Sequence, residues 1–175
     1  MSLPVINRTC GECTFCCELL EVEDKDSGFK KEGATKCEHL TNTGCGIYES
    51  KPKVCTGFYC MFLVNHRPGM FRDTDRPDKI GILAVMNNPD SEFTRFARMP
   101  SFTLYETRPN AFHEYHAGKL MKRISKHWLC ILMPWSAREN KYKLGPGTKF
   151  IGPPKALTMV ERFNTLEENI HGEDR

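Results

Sequence analysis

Four cysteines lie within eight residues near the start of the chain, in the stretch CGECTFCC from Cys10 to Cys17, and two of them are adjacent. Free thiols oxidise and cross-link, so such a dense group requires either disulfide pairing or a bound soft metal. The chain has nine cysteines, an odd number, and eight of them precede residue 61. The choice between disulfides and metal therefore governs how this part of the chain can fold.

The compartment favours metal over disulfides. The opening MSLPVINRTC has neither the basic region nor the apolar stretch of a secretory signal, and no apolar run approaches the roughly 18 residues of a membrane span. We therefore expect a cytoplasmic protein that makes no membrane contact, in a compartment where disulfides are rare. A chain of 175 residues can bury a core without disulfides. The disulfide alternative applies to the mature form of an exported protein.

Charge and composition narrow the range of partners. Hydrophobic residues make up 39% and charged residues 27%, which is typical of a globular protein. The net charge is +3, divided as −2 over residues 1–64 and +5 over residues 65–175. This excess is too mild for the basic footprint of a nucleic-acid-binding domain. The expected partners are a metal ion and a protein or small molecule of unknown identity.

The cysteine spacing suits metal ligation. In each C-x2-C step the backbone forms a tight knuckle, which turns both thiolates inward and lets backbone N–H groups donate to sulfur. Eight thiolates suit two tetrahedral zinc ions, or one iron–sulfur cluster plus a zinc ion. Adjacent side chains diverge, so the pair Cys16-Cys17 either serves two metals or has one ligand and one packing residue. Zinc is the predicted metal, with an iron–sulfur cluster or iron as the alternative, and the predicted ligands are Cys10, Cys13, Cys16, Cys17, Cys37, Cys45, Cys55 and Cys60.

Other candidate residues carry weaker signals. His39 follows Cys37 by two residues and is a possible further ligand, and His113 and His116 are spaced to share a metal on one helix. We expect instead that His113 is solvated and that His116 flanks an apolar stripe. Cys130 lies within the apolar run HWLCILM and is predicted to be a core thiol. The chain has no G-x-S-x-G, H-E-x-x-H or phosphate-binding glycine motif, so an enzymatic activity is left open.

The fold class predicted is α+β. A small, irregular, cysteine-rich metal-binding part (residues 1–64) is expected to pack as one domain with a mixed α/β part (residues 65–175) that has a three- to four-stranded sheet and about three helices. KDSGFKKEG is expected to form a loop or short hairpin, and IYESKPKVC to begin a helix near Pro52. Strands are predicted at KIGILAVM, SFTLYET and HWLCILM, and KYKLG is expected to pair with the last of these. Helices are predicted at 91–99, 110–126 and 154–170, the second capped by Asn110 with a stripe of Phe112, Tyr115, His116, Leu120, Met121 and Ile124.

The cysteine register resembles that of a known family. CxxCxxCC, followed by Cys37-Glu-His-Leu40 and by CGIYESKPKVC from Cys45 to Cys55, is similar to the YkgJ-type cysteine-cluster proteins, a bacterial family described as zinc- or iron-chelating. The resemblance covers residues 8–64 and implies metal chelation. Lys51 and Thr56 stand where the family usually has arginine, which removes a bidentate fork but leaves the cysteines in place. A similar cysteine module occurs in flagellin lysine N-methylases, which are far longer chains.

Four functions follow as hypotheses. The leading one is a metal-binding protein that chelates zinc or an iron–sulfur cluster through eight cysteines. The alternatives are a metal-dependent or redox enzyme that modifies a protein or small molecule, a zinc-folded protein-interaction module, and a metal storage or trafficking protein.

Overall fold

The computed structural model describes residues 8, 10–58, 60–64, 69–87, 100–140 and 148–161. The cysteine-rich part contains only short elements. They are the helix α1 (Phe15–Leu19), the hairpin β1 (Val22–Asp24) and β2 (Phe29–Lys31), the ladder β3 (Leu40–Thr41) and β4 (Gly44–Cys45), and the helix α2 (Lys53–Thr56). A 3₁₀ turn at Tyr48–Ser50 precedes α2, and Pro52 stands at its N-cap. The hairpin predicted around Gly28 and the helix predicted near Pro52 are both confirmed.

A four-stranded sheet forms the centre of the remaining part. A short helix α3 (Pro77–Ile80) leads into it, and a longer helix α4 crosses between its middle strands. The sheet order is β5-β6-β7-β8; β6 and β7 are parallel, and the other neighbours are antiparallel. The elements are β5 (Ile82–Met86), β6 (Ser101–Glu106), α4 (Tyr115–Ser125), β7 (Leu129–Met133) and β8 (Lys149–Ile151), followed by a helix α5 that begins at residue 154 and is described as far as residue 161. The mixed helix and sheet content confirms the α+β class.

The sheet is covered on both faces. Side chains alternate along β5, so Ile82 and Ala84 join one hydrophobic cluster and Leu83 and Val85 join another. The first cluster packs against α4 through Ala117, Leu120 and Ile124. The second packs against the cysteine-rich part through Leu19, Cys60 and Phe62. The cysteine-rich part therefore rests on the sheet face opposite α4.

The three predicted strands are confirmed at β5, β6 and β7, except that Ile80, near the start of the first predicted strand, lies in α3. The expected partner KYKLG lies at 141–145, outside the described residues, and the strand that pairs with β7 is Lys149–Ile151. The SAREN segment, predicted as a hairpin connection, forms part of the 3₁₀ turn Trp135–Asn140. The helix predicted at 91–99 also lies outside the described residues. The helix predicted at 154–170 is present as far as the description extends.

The predicted start of the helix at 110 is wrong. Asn110 has a left-handed backbone with φ of 62° and makes no side-chain cap, a 3₁₀ turn follows, and the helix begins at Tyr115. The 3₁₀ turn docks on the sheet instead, because Ala111 is fully buried and the Phe112 N–H donates to the buried Glu106 carboxylate at 2.7 Å. Glu114 then follows in an extended backbone. The predicted stripe is wrong at Tyr115, which is 68% exposed, and at His116, which is also exposed. No described helix has the length and apolar character needed to cross a membrane.

Candidate metal centre

All eight predicted ligands lie within the described residues, and all nine cysteines are free thiols. Cys60 and Cys130 are buried, and the other seven are partly buried. Cys16 and Cys17 lie on α1, Cys45 ends β4 and Cys55 lies on α2. Within the described ranges, no three His, Cys, Asp or Glu side chains are already arranged to hold a metal ion.

The two adjacent cysteines on α1 have pKa values that are shifted in opposite directions. The two sulfur atoms lie 3.9 Å apart and share a hydrogen bond. That bond and burial raise the pKa of Cys16 far above its ordinary value, whereas the bond lowers the pKa of Cys17 to about 7. Successive helical residues project about 100° apart. The pair therefore directs its two sulfurs toward different neighbours.

Cys16 faces a first set of cysteines. The pKa of Cys16 is raised by the charges of Cys10 and Cys60 after the stronger effects of Cys17 and burial. Burial raises the pKa of Cys60 to about 11, with smaller contributions from the charges of Cys10 and Cys13. Burial likewise raises the pKa of Cys13, with a further contribution from Cys10. We call Cys10, Cys13, Cys16 and Cys60 the first thiol group.

Backbone amides point toward two sulfurs of the first thiol group. The N–H groups of Phe15 and Asp78 donate to Cys13 and lower its pKa, although burial raises it overall. The N–H groups of Leu63 and Phe62 do the same for Cys60. Amide donors of this kind stabilise a thiolate over a thiol. These two cysteines thus already have the hydrogen-bond donors that a metal-bound thiolate uses.

Cys17 lies near a second set of cysteines. Burial raises the pKa of Cys55, and the charges of Cys17, Cys37 and Cys45 raise it further. The Cys37 N–H donates to the Cys17 carbonyl at 2.9 Å, and Cys45 is paired in register with Leu40, whose N–H donates to the Cys37 carbonyl at 3.1 Å. We call Cys17, Cys37, Cys45 and Cys55 the second thiol group. The charge of Cys17 also raises the pKa of Cys10, so the two groups are adjacent.

Three cationic side chains, those of Arg76, Lys31 and Lys51, lie near the thiols. Arg76 lies beside Cys10 and Cys13 of the first thiol group. The buried Lys31 lies beside Cys37 and Cys17 of the second thiol group, then beside Cys16 of the first, and then beside Cys55.

Lys51 acts on both groups. Its charge lowers the pKa of Cys10, Cys17 and Cys55. Its ammonium lies 4.1 Å from the centre of the Tyr48 ring. Lys51 therefore places a positive charge near both thiol groups.

Arg76 is held in place by two features. Its guanidinium forms a bidentate pair with Asp78 at 2.7 and 2.9 Å. It also lies directly against the backbone of Gly11, where a Cβ atom would collide with Arg76 Nη1. Gly11 has φ of 56°, which favours glycine in any case. The x2 segment between Cys10 and Cys13 therefore admits the cation because one of its residues is glycine.

The remaining candidates make contacts of other kinds. His39 stacks on Phe29 with ring centres 5.7 Å apart and has its Nε2 atom 3.6 Å from Glu38. His113 and His116 are exposed, so His113 is solvated as predicted. Burial raises the pKa of Cys130 to about 12, and its side chain belongs to the sheet core. Cys130 is therefore a core thiol, as predicted.

The donor set fits a soft cation in its chemistry. Free thiols in one part of the chain, amide donors to sulfur and nearby cations are chemical features of zinc or iron–sulfur sites. Sequence patterns did not indicate Lys31 or Arg76, because neither lies near a cysteine along the chain. The alternation along β1 and β2 gives the only available signal for Lys31, since it places every second residue of the hairpin inward.

Comparison of the chain with protein-family models, with curated proteins and with solved structures found no match.

Proposed function

We propose that this protein binds metal through its cysteine-rich part, with the first and second thiol groups each holding one metal ion or cluster. Zinc is the first choice and an iron–sulfur cluster the alternative, in a reducing compartment such as the cytoplasm. The proposal rests on one observation: eight free thiols lie in the cysteine-rich part, and the adjacent Cys16 and Cys17 on α1 each have other cysteines nearby, Cys10 and Cys60 for the first and Cys55 for the second. The likeness of the cysteine register to the YkgJ-type proteins agrees with this role.

The division accounts for the unusual CC dipeptide. One pair of neighbouring helical residues supplies a ligand to each site, so the two sites share one helix. The sulfurs lie near enough to shift one another's pKa, and binding requires each set to close to about 2.3 Å around its metal. A bound cation attracts thiolates that otherwise repel one another, and it offsets the cost of burying their charge. Metal binding would therefore oppose the burial and the repulsion that help to raise the pKa of Cys16, Cys55 and Cys60.

The charges favour a dianionic site in each group. A zinc ion bound by four thiolates has a net charge of −2, so two such sites require compensating cations. Arg76 is beside the first thiol group, Lys31 beside the second, and Lys51 near both. Lysine and arginine at these positions lower the cost of gathering the thiolates.

Elemental analysis of the untagged full-length chain, purified without oxygen, tests the proposal. We expect two zinc ions per chain, or about four iron atoms with one zinc ion. Cys13→Ser should remove the metal of the first thiol group and Cys45→Ser that of the second, whereas Cys130→Ser should change nothing. Wild-type protein with less than about one metal atom per chain would refute the proposal, because structural zinc binds tightly enough to survive purification.

A further inference from the structure

The two thiol groups differ in how they are joined to the rest of the protein. The first thiol group is connected to the sheet core. Cys60 is only 8% exposed and packs with Leu83 and Ile131, and the adjacent Met61 N–H donates to the Ala84 carbonyl of β5 at 3.0 Å. Cys16 lies three residues before Leu19, which is 1% exposed in the same cluster. Opening the first thiol group therefore disturbs the packing of the sheet.

The second thiol group depends on a segment without a core. The structure describes every residue from 38 to 57, and none of them is buried or belongs to a hydrophobic cluster. Its regular structure consists of a ladder of two-residue strands, one 3₁₀ turn and a four-residue helix. Elements this short do not hold their conformation without packing or a cross-link. This segment carries Cys45 and Cys55.

The described contacts of the segment are mostly exposed. Lys53 Nζ lies 3.2 Å from Asp26, but the two side chains are 87% and 73% exposed. His39 stacks on Phe29 at the start of the segment. Exposed ion pairs of this kind contribute little to stability. Neither burial nor charge pairing at these contacts is sufficient to order 20 residues.

We propose, on the basis of the function proposed above, that the second thiol group is an exchangeable metal site whose occupancy folds residues 38–57, and that the first thiol group is a permanent site. Metal at the second thiol group ties Cys45 and Cys55 to Cys17 on α1, so the metal supplies the cross-link that the segment lacks. Loss of that metal opens the segment alone, since the sheet and its two hydrophobic clusters do not depend on it. The protein thus gains or loses one soft divalent ion while its fold persists.

The surface of the segment changes with occupancy. Tyr48 is 63% exposed and Val54 is 40% exposed, and they are two of the four large hydrophobic side chains exposed among the described residues. Both stand on the segment that the metal orders. Filling the second thiol group would therefore present these side chains in a fixed arrangement, and emptying it would disperse them. The site thereby couples metal supply to the shape of one surface.

Release of zinc to excess chromophoric chelator tests the inference on the full-length chain loaded with two zinc ions. We expect two phases of equal amplitude, with rates at least about tenfold apart, because local opening is faster than opening of the core. Hydrogen exchange during the fast phase should rise in residues 38–57 and remain low in β5, β6 and β7. Cys45→Ser should retain only the slow phase, and Cys130→Ser should retain both.

The outcomes separate this inference from the function on which it rests. A chain that cannot be loaded with zinc or an iron–sulfur cluster refutes metal binding itself. Two zinc ions that leave in a single phase, or a fast phase that deprotects the sheet, leave metal binding intact and overturn the exchangeable site. The wild-type measurement decides the question even if a cysteine variant fails to fold.

Discussion

Replacement of Lys31 by methionine is the sharpest test of the charges at the second thiol group. Lys31 is 6% exposed, and its Nζ atom donates to the carbonyls of Thr35 at 2.7 Å and Glu32 at 3.1 Å. Burial lowers the pKa of this ammonium, and the neighbouring cysteines, beginning with Cys37, oppose that effect. Lys31→Met keeps an unbranched side chain of similar length and removes the charge.

The expected effect is a loss of zinc affinity that is larger at the second thiol group than at the first. Removing a supporting residue next to metal ligands typically weakens metal binding by about 10- to 100-fold. That range equals about 1.4–2.7 kcal/mol, which agrees with the roughly 1.5–3 kcal/mol of a hydrogen bond to a charged group. Lys53→Met is the matched control. Lys53 is 87% exposed and precedes Cys55 by two residues, so its loss should change affinity by less than about fivefold.

Competition with a chelator of known zinc affinity measures both sites of the full-length chain. Lys31→Met should weaken the second binding event more than the first. In the Cys45→Ser background, which retains only the first thiol group, Lys31→Met should have a smaller effect than in the wild-type chain. Equal affinities for wild type and Lys31→Met, or equal losses for Lys31→Met and Lys53→Met, would show that the buried charge does not support the second thiol group.

Three further predictions concern a core thiol, a buried carboxylate and a reactive thiol. Cys130→Ser should lower the free energy of unfolding by about 1–2 kcal/mol in urea melts, because it buries a hydroxyl in the sheet core, and should leave the metal content unchanged. Glu106→Gln should cost about 1.5–3 kcal/mol in the same melts, because the buried Glu106 carboxylate accepts the N–H groups of Phe112 and Trp135, both at 2.7 Å; no loss would contradict this bridge. In metal-free, reduced protein, Cys17 should be alkylated before the other cysteines because its pKa is about 7, and its rate should fall about tenfold per pH unit below 7 as the thiolate is protonated; mass spectrometry showing another cysteine modified first would refute this order.

Part of the fold was predictable because its signals are local. The strands β5 and β7 are apolar runs of strand length and β6 was predicted from alternation, and all three formed within the predicted segments, although Ile80 of the first segment lies in α3. The start of α4 was not predictable, because the turn before it docks on the buried Glu106 carboxylate at the end of β6. The pairing of β8 with β7 depends on a connection whose length the local pattern does not encode.

The ligand list and its division came from different kinds of information. Spacing alone connects Cys10, Cys13 and Cys16. Spacing does not predict that Cys60 joins them, because Cys60 is brought near by the packing of residues 60–64 against β5. Likewise, the link between Cys17 and Cys37 is a backbone hydrogen bond across a 20-residue separation. Long-range contacts of this kind leave no periodic trace in a single sequence.

X-ray absorption on full-length protein prepared without oxygen tests the central claim most directly, because it identifies the element and counts its sulfur neighbours together. If the two thiol groups bind metal, the spectrum should show four sulfur neighbours per zinc at about 2.3 Å, or iron whose neighbours are only sulfide and thiolate sulfur. A first shell dominated by nitrogen or oxygen, or the absence of bound metal, would contradict the claim.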